Sequence, residues 1–213
     1  MREACRQAAA WQREGLQVAV SFNLSPRQLW NPGLAEEILT CLQLEEVDPH
    51  QVIVEITESA AMADPVRTQA ALGTLSEGGL TVAIDDFGTG YSSLSRLQLL
   101  SVDLLKIDLS FLRGIPYEEN ANRMMAAIVQ LSRALGLTPV AEGVESEDQR
   151  QFLLEQGCSL AQGYHLGPPV APAELVASCH RPGVVALATY AQEKASPPGV
   201  ATPLHRSAGR ATL

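Results

Sequence analysis

Short apolar segments that end in polar residues alternate with segments of helical periodicity, six times between residues 18 and 167. Apolar β-type segments with little polar alternation are typical of strands buried on both faces, and helix-length connections join strands that run in parallel. The sequence therefore predicts an α/β fold with a parallel sheet. The predicted strands are VAVSFN (18–23), VIVEIT (52–57), TVAIDD (81–86), LLKID (104–108), PVAEGV (139–144) and AQGYHLG (161–167).

Helices are predicted between these strands. Their ranges are 34–44, 66–75, 122–135 and 147–155, with a shorter helix at 93–100. An opening helix is predicted at 2–14, with Gly15 as its C-terminal stop. The helices would cover the sheet on both faces.

Polar residues stand at or near the end of each predicted strand. In a βα barrel or an open doubly wound sheet, the carboxyl ends of parallel strands form the active site. The pattern therefore predicts chemistry at one rim, from Asn23, Glu55, Asp85, Asp86, Lys106, Asp108, Glu142 and Gln162.

Four of these residues are carboxylates that cannot all stay ionised side by side without cations: Glu55, Asp85, Asp86 and Glu142. Hard oxygen ligands suit Mg²⁺ or Mn²⁺, Asn23 offers a further oxygen, and Lys106 offers a positive charge. Such a set resembles a two-metal site for phosphoryl transfer and predicts phosphodiester hydrolysis.

Each of these residues also has a purely structural interpretation. A single acidic residue after a strand is often a helix N-cap, Gly88 and Gly90 are compatible with ordinary turns, and Lys106 is compatible with a simple ion pair. The coincidence of several polar strand ends favours a functional site over this alternative.

Charge and composition exclude several classes of protein. The net charge of −9 argues against a polymer of DNA or RNA as ligand, since such binding relies on a basic surface. No apolar run approaches the roughly 18 residues of a membrane span, and no secretory signal is visible, so a cytoplasmic location is predicted.

The cysteines at 5, 41, 158 and 179 form no CxxC pair and are predicted to be reduced thiols.

Six ordered motifs resemble those of EAL-family domains. They are FNLSPRQL (22–29), VEITES (54–59), IDDFGTGYSSLSRL (84–97), LLKIDLSF (104–111), VAEGVES (140–146) and QGYHLGPP (162–169). The resemblance covers residues 2–175 and is far more specific than a single short motif.

The resemblance implies a (β/α)8 barrel of the TIM type that hydrolyses cyclic di-GMP to linear pGpG with Mg²⁺ or Mn²⁺. Asn23, Glu55, Asp85 and Glu142 resemble metal ligands, and Asp86 resembles a ligand of the second metal or the holder of the attacking water. Lys106 would orient that water, and Glu142 is also cast as the general base.

Further positions take roles from the same resemblance. Asp108 and Glu145 resemble residues that support the metal ligands, and Gln162 resembles a contact to the ligand. Glu58 resembles the residue that holds the loop at 85–93, which contains Gly88 and Gly90 and leads to a homodimer interface.

One departure from the family is expected to matter. The Glu-Ala-Leu strand that names the family has no counterpart here, so we expect a partial barrel at 1–180 with six βα units and the first two strands absent. Residues 181–213 are predicted to be a disordered tail. We expect the chain alone to be a weak or inactive phosphodiesterase, and a longer parent with an upstream sensory or GGDEF-type domain, even a membrane anchor, is compatible with this reading.

Two other functions are weighed against hydrolysis. A non-hydrolytic cyclic di-GMP receptor or protein-interaction module is favoured by the absent glutamate, whereas retention of Asp85 and Lys106 favours an enzyme. An unrelated aldolase-type or dinucleotide-binding enzyme has little support, because no GxGxxG follows the first strand.

Overall fold

Six strands, each paired in parallel with the next, form one curved sheet in this computed structural model. The structure describes residues 1–16, 18–89 and 94–175 with side chains, and 176–179, 187–190 and 200–203 by their backbone. The strands are β1 (Ala19–Asn23), β2 (Val52–Thr57), β3 (Thr81–Phe87), β4 (Leu104–Ile107), β5 (Thr138–Ala141) and β6 (Leu160–Gln162). The predicted parallel α/β sheet with six βα units is confirmed.

The strand boundaries agree closely with the sequence pattern at their starts. Every strand begins within one residue of its predicted position. β5 and β6 end earlier than predicted, at Ala141 and Gln162. Gly143, with φ of 73°, turns the chain directly after Glu142, which therefore lies just beyond the strand.

Helices connect the strands and cover the outside of the sheet. The predicted helices occur with small boundary shifts, and α2, α4 and α9 are additional. In order they are α1 (Arg2–Arg13), α2 (Pro26–Leu29), α3 (Leu34–Leu44), α4 (Glu58–Ala63), α5 (Pro65–Glu77), α6 (Leu94–Leu97), α7 (Glu119–Ala134), α8 (Glu147–Gln156) and α9 (Pro172–Cys179), with 3-10 turns at Pro49–Gln51 and Leu109–Leu112. No helix in the described part of the chain combines the length and apolarity that crossing a membrane requires.

The core lies between the sheet and its helices. The first five residues of β2 are all buried, which explains why that strand reads as a nearly continuous apolar run. α1 buries one stripe, formed by Ala4, Cys5, Ala8 and Trp11 at helical spacing, against the sheet. Packing on both faces fixes the strands rigidly enough to hold a site at their ends.

Two segments from the C-terminal part of the chain lie between β6 and β1 and close the ring. β7 (Leu187–Tyr190) pairs in parallel with β1, and β8 (Val200–Pro203) pairs antiparallel with both β6 and β7. These strands fall within the predicted disordered tail, so at these eight positions the structure differs from the prediction. The rest of 181–213 lies outside the described residues, and there the prediction is untested.

Candidate metal and active site at the carboxyl ends of the strands

A single buried lysine contacts three carboxylates at the carboxyl ends of the strands. Lys106 Nζ lies 2.9 Å from Glu55 Oε2, 2.8 Å from Asp85 Oδ1 and 2.8 Å from Glu142 Oε1. The exposed fraction of these side chains is 14% or less, and that of Glu55 is zero. Charges from β2, β3, β4 and the end of β5 therefore meet in one place.

Strand register explains why these side chains converge. Asn23 of β1 pairs with Glu55 of β2, and Thr57 of β2 pairs with Asp85 of β3. Register partners on neighbouring strands project to the same face of a sheet. Asn23 is thus placed beside Glu55, although the structure gives no side-chain contact between Asn23 and the charged residues.

A β-bulge brings two consecutive aspartates to one side. Between Ile84 and Phe87, β3 advances by three residues while β4 advances from Leu105 to Ile107. Consecutive residues of a regular strand would point to opposite faces, and a bulge removes this alternation locally. Asp86 takes a left-handed conformation with φ of 55°, a strained geometry that often marks functional sites.

The bulge creates a compact group of possible metal ligands. One carboxylate oxygen from each of Asp85, Asp86 and Glu142 lies within 4.8 Å of the others. Glu55 joins this group through Lys106, which it shares with Asp85 and Glu142. Oxygen atoms from acidic residues are the ligands that Mg²⁺ and Mn²⁺ prefer.

Two buried oxygen atoms indicate that the site accepts something more than its own side chains. Glu55 Oε1 and Gln162 Oε1 are buried and have no hydrogen-bond partner among the described residues. Gln162 Nε2 donates to Glu142 Oε1 at 2.6 Å, so the orientation of Gln162 is fixed by the cluster. Buried polar atoms normally have partners, and a divalent cation or its ligands would supply them. The donor set therefore fits Mg²⁺ or Mn²⁺.

The electrostatics of the site shift the pKa values of its members. Burial alone would lower the pKa of Lys106, but Glu55, Glu142 and Asp85 outweigh burial and raise it above its ordinary value, so Lys106 stays charged. Burial raises the pKa of Glu142 to about 7, with Asp85 adding and Lys106 opposing. Burial and then the neighbouring Asp85 also raise the pKa of Asp86. Protons and cations thus compete for these carboxylates.

The segment after the paired aspartates is held from two sides. Gly88, with φ of 98°, donates its backbone N–H to Glu58 Oε2 at 2.7 Å. A Cβ atom at Gly88 would collide with the ring of Phe111. Thr89 Oγ1 donates to the Asp86 carbonyl at 2.9 Å. Gly90 lies outside the described residues.

Two predicted supporting residues do not join the cluster. Asp108 caps the 3-10 turn at Leu109–Leu112 by accepting the Ser110 N–H at 2.9 Å. A hydrogen bond with the Ser110 side chain, and then the one from its backbone N–H, lower the pKa of Asp108. Glu145 is exposed, and within the described part of the chain its one hydrogen bond is donated by its backbone N–H to Gln149 Oε1. Among the described residues no side-chain contact joins Asp108 or Glu145 to the carboxylates at the rim, although the charge of Asp108 contributes, after burial and Asp85, to raising the pKa of Asp86.

Sequence reasoning gave no role to two residues that shape the rim. Phe111 packs against Gly88, and Leu109 packs against Gly143, the residue after Glu142. Both lie in the LLKIDLSF motif, directly after Lys106. The sequence signal for them was their position shortly after a lysine at a strand end. Apolar side chains at such positions carry no catalytic or ligand-binding group, so this signal did not identify them.

Comparison with known proteins agrees with this geometry. The EAL domain family model matches residues 1–169. The bifunctional diguanylate cyclase/cyclic di-GMP phosphodiesterase MucR of Pseudomonas aeruginosa is 41% identical over 177 residues, which are 83% of this chain and 26% of that protein. The chain thus spans about a quarter of that relative.

Solved structures extend the comparison to three dimensions. The EAL domain of Mycobacterium smegmatis DcpA has a TM-score of 0.79 at 38% identity, covering 85% of this chain and 83% of that one. The MucR phosphodiesterase in complex with c-di-GMP has a TM-score of 0.77 at 40% identity, covering 82% and 71%. The manganese and cyclic di-GMP complex of Klebsiella pneumoniae BlrP1 has a TM-score of 0.68 at 31% identity, covering 76% and 42%.

Proposed function

The chain belongs to the EAL domain family, and from this premise we propose that it is a metal-dependent phosphodiesterase domain that hydrolyses cyclic di-GMP to pGpG. The observation that carries the proposal is the buried group of three carboxylates around Lys106, with Asp86 beside it. Clustered buried charges cost stability, and catalysis, which uses the metal ligands and the lysine charge, accounts for keeping them better than ligand binding alone.

The cation would be held by carboxylates from β2, from β3 and from the segment after β5. In this proposal Glu55, Asp85 and Glu142 would hold the first ion, with Asn23 as a neutral donor, and Asp86 would hold a second ion or the attacking water. When bound, Mg²⁺ or Mn²⁺ supplies Lewis acidity that favours a deprotonated water near neutral pH.

Protein residues perform the remaining steps. Lys106 orients the attacking water and stabilises the negative charge that develops on the phosphoryl oxygens, from a buried position where electrostatic interactions are strong. Glu142, whose pKa burial raises to about 7, accepts a proton from the water. The water oxygen bonds to phosphorus, the bond from phosphorus to one ribose 3′ oxygen breaks, and that oxygen takes up a proton as the ring opens to pGpG.

Charge supports the dependence on metal. The chain carries a net charge of −9 and the site itself is acidic, whereas cyclic di-GMP is a dianion. Ligand and protein would repel each other without intervening cations. Gln162, fixed by Glu142, offers its free carbonyl oxygen to the ligand.

Partners and location follow from the same premise. We propose that the domain forms homodimers near the segment at 85–93 and acts in the cytoplasm within bacterial signalling. The fraction of MucR that this chain covers, 26%, supports a working context with further domains, such as a sensory or GGDEF-type domain.

The direct test is to incubate the chain with cyclic di-GMP in the presence of Mn²⁺, of Mg²⁺ or of EDTA. Chromatography then measures the pGpG that is released. We expect slow release of product with either metal, because the Glu-Ala-Leu strand has no counterpart in this chain, and no product with EDTA or from Asp85→Asn. Asp148→Asn makes the same substitution on the exposed face of α8, where Asp148 contacts Tyr117, and should leave product release unchanged. Tight, metal-dependent binding of cyclic di-GMP without any pGpG would replace hydrolysis with the receptor function.

A further inference from the structure

Two cysteine thiols meet at the contact between α1 and α3, away from the rim. Cys5 on α1 is fully buried, and Cys41 on α3 is partly buried against the same core. Cys41 lies close enough to Cys5 to raise the pKa of the Cys5 thiol, after the larger effect of burial. The two cysteines, 36 positions apart in sequence, therefore lie near each other where α1 packs against α3.

Helix register holds the two cysteines opposite each other. Arg2 pairs with Glu37 at 4.0 Å, and Arg6 pairs with Glu45 at 3.3 Å. Cys5 lies between the two arginines on α1. Cys41 lies midway between the two glutamates, because Glu37, Cys41 and Glu45 follow one another at intervals of four residues along α3 and its C-cap. The pairing order shows that the helices run in the same direction, with the thiol pair bracketed by two ion pairs.

One of the two sulfurs can be reached from solvent. Cys41 lines an open groove between α1 and α3, whose other walls include Arg2, Arg6 and Glu45. Cys5 lies beneath this groove with no exposed surface. A small molecule entering the groove therefore meets Cys41 first.

We propose that Cys5 and Cys41 form an oxidisable dithiol, a modification site at which hydroperoxides convert the pair into a disulfide that links α1 to α3. In the first step the sulfur of Cys41 bonds to one peroxide oxygen, the O–O bond breaks, and the other oxygen leaves as water. In the second step the Cys5 sulfur attacks the sulfenic sulfur of Cys41 and displaces a second water. Two thiols lose two hydrogens and two electrons, and one hydrogen peroxide is reduced to two waters.

The order of these steps follows from the environment of each sulfur. Burial, and then the neighbouring Cys41, raise the pKa of Cys5 to about 12, so Cys5 remains a thiol until a sulfenic acid forms beside it. Exposure of Cys41 to the groove makes it the entry point of the oxidant. Cys5 is the resolving thiol.

Cys158 provides a matched control within the same chain. It is equally buried, but its thiol faces the carbonyl oxygens of Pro139 and Leu160 at 3.6 and 3.3 Å. A sulfur surrounded by carbonyl oxygens has no thiol with which to resolve a sulfenic acid. The proposal therefore distinguishes Cys158 from the pair.

The test is treatment of the dilute, folded chain with hydrogen peroxide, followed by intact mass measurement and peptide mapping without reduction. We expect a mass loss of about 2 Da, a cross-link between the peptides that contain Cys5 and Cys41, and reversal by dithiothreitol. The oxidised chain should melt several degrees higher than the reduced chain, because the link constrains the unfolded state.

Variants separate the pair from general thiol oxidation. Cys158→Ala should form the same cross-link as the wild type. Cys41→Ser, a change at the partly exposed position, should lose it, and Cys5→Ala should instead accumulate a dimedone-reactive sulfenic acid at Cys41. A wild-type chain whose thiols oxidise without the Cys5–Cys41 cross-link, or whose cross-links join other cysteines or separate chains, would overturn the proposal.

Discussion

Two ionic clusters of similar geometry lie in very different surroundings. At the rim, Lys106 contacts three carboxylates at 2.8 to 2.9 Å. On α8, Glu147 contacts Arg150 at 2.5 Å and His165 at 3.0 Å. The Lys106 side chain is 5% exposed, whereas that of Glu147 is 58% exposed. Distances alone do not distinguish the clusters, and burial does.

Burial changes what each cluster can do. Water and salt screen the charges around Glu147, so such a pair contributes about 0 to 1 kcal/mol to folding. Around Lys106 the charges are shielded from water, so each one depends on the others and can act strongly on a ligand. The same chemistry serves as a surface interaction in one region and as a candidate active site in the other.

The largest contrast is expected from removing the positive charge at the rim. Lys106→Met should reduce the rate of pGpG release by at least about a hundredfold, because the charge that stabilises the transition state is lost. It should also lower the free energy of unfolding of the metal-free chain by about 3 kcal/mol, since the carboxylates then repel each other. Denaturant titration should show that Mn²⁺ restores part of this loss. Retained activity in this variant would remove Lys106 from the mechanism.

A pH dependence of the Mn²⁺ affinity, intermediate in size among these effects, is expected at the rim. Burial raises the pKa of Glu142 from 4.5 to about 7, so below pH 7 a bound cation must displace a proton. Mn²⁺ affinity should therefore rise with pH by up to about tenfold per unit below pH 7 and level off above it. Calorimetry in buffers of different ionisation enthalpy would count the protons released. An affinity independent of pH between 5 and 8 would show that Glu142 is not protonated in the metal-free site.

A smaller effect is expected from the segment that follows the paired aspartates. Gly88→Ala places a Cβ against Phe111 at a φ of 98°, and should cost about 2 kcal/mol of folding stability and lower pGpG release several-fold. Gly136→Ala is the matched control, since Gly136 also has a positive φ, 77°, but no atom lies within 4 Å of its added Cβ. It should cost about 1 kcal/mol and leave activity unchanged. Equal effects on activity would mean that the Phe111 contact does not position Asp86.

The smallest effect is expected at the surface cluster. Hydrogen bonds from Arg150 and then His165 lower the pKa of Glu147 to about 2, so its stabilisation is present above about pH 4.5 and lost as the pH falls toward 2. Because the cluster is exposed, Arg150→Met should lower the free energy of unfolding at pH 7 by less than about 1 kcal/mol, with no change in activity. Urea titrations at pH 7 and pH 3 should show the variant and the wild type converging at low pH. A loss as large as that of Lys106→Met would contradict the comparison.

The sequence predicted the elements well because their signals are local. Apolar runs predicted the strand starts to within one residue, and helical spacing predicted the longer helices. The convergence of Glu55, Asp85 and Lys106 followed from their common place at strand ends. Local patterns were sufficient for these features.

Other features depend on contacts that no local pattern carries. The bulge that turns Asp86 toward Asp85 arises from pairing between β3 and β4, and the meeting of Cys5 with Cys41 arises from helix packing. Asp108 was expected to support the metal ligands from its strand-end position and from the family resemblance, and the structure shows it as the cap of a turn through Ser110. The type of a residue and its position along a strand do not show whether its side chain joins the site or caps a nearby turn.

The most direct test of the rim as a divalent-metal site is a calorimetric titration of the wild-type chain, Glu142→Gln and Glu147→Gln with Mn²⁺ at pH 7.5. Glu142 belongs to the buried carboxylate group, and Glu147 to the exposed cluster five positions later in the chain. We expect saturable binding to the wild type, at least about tenfold weaker binding to Glu142→Gln, and unchanged binding to Glu147→Gln. Failure of the wild type to bind Mn²⁺, or equal affinity in all three chains, would contradict it.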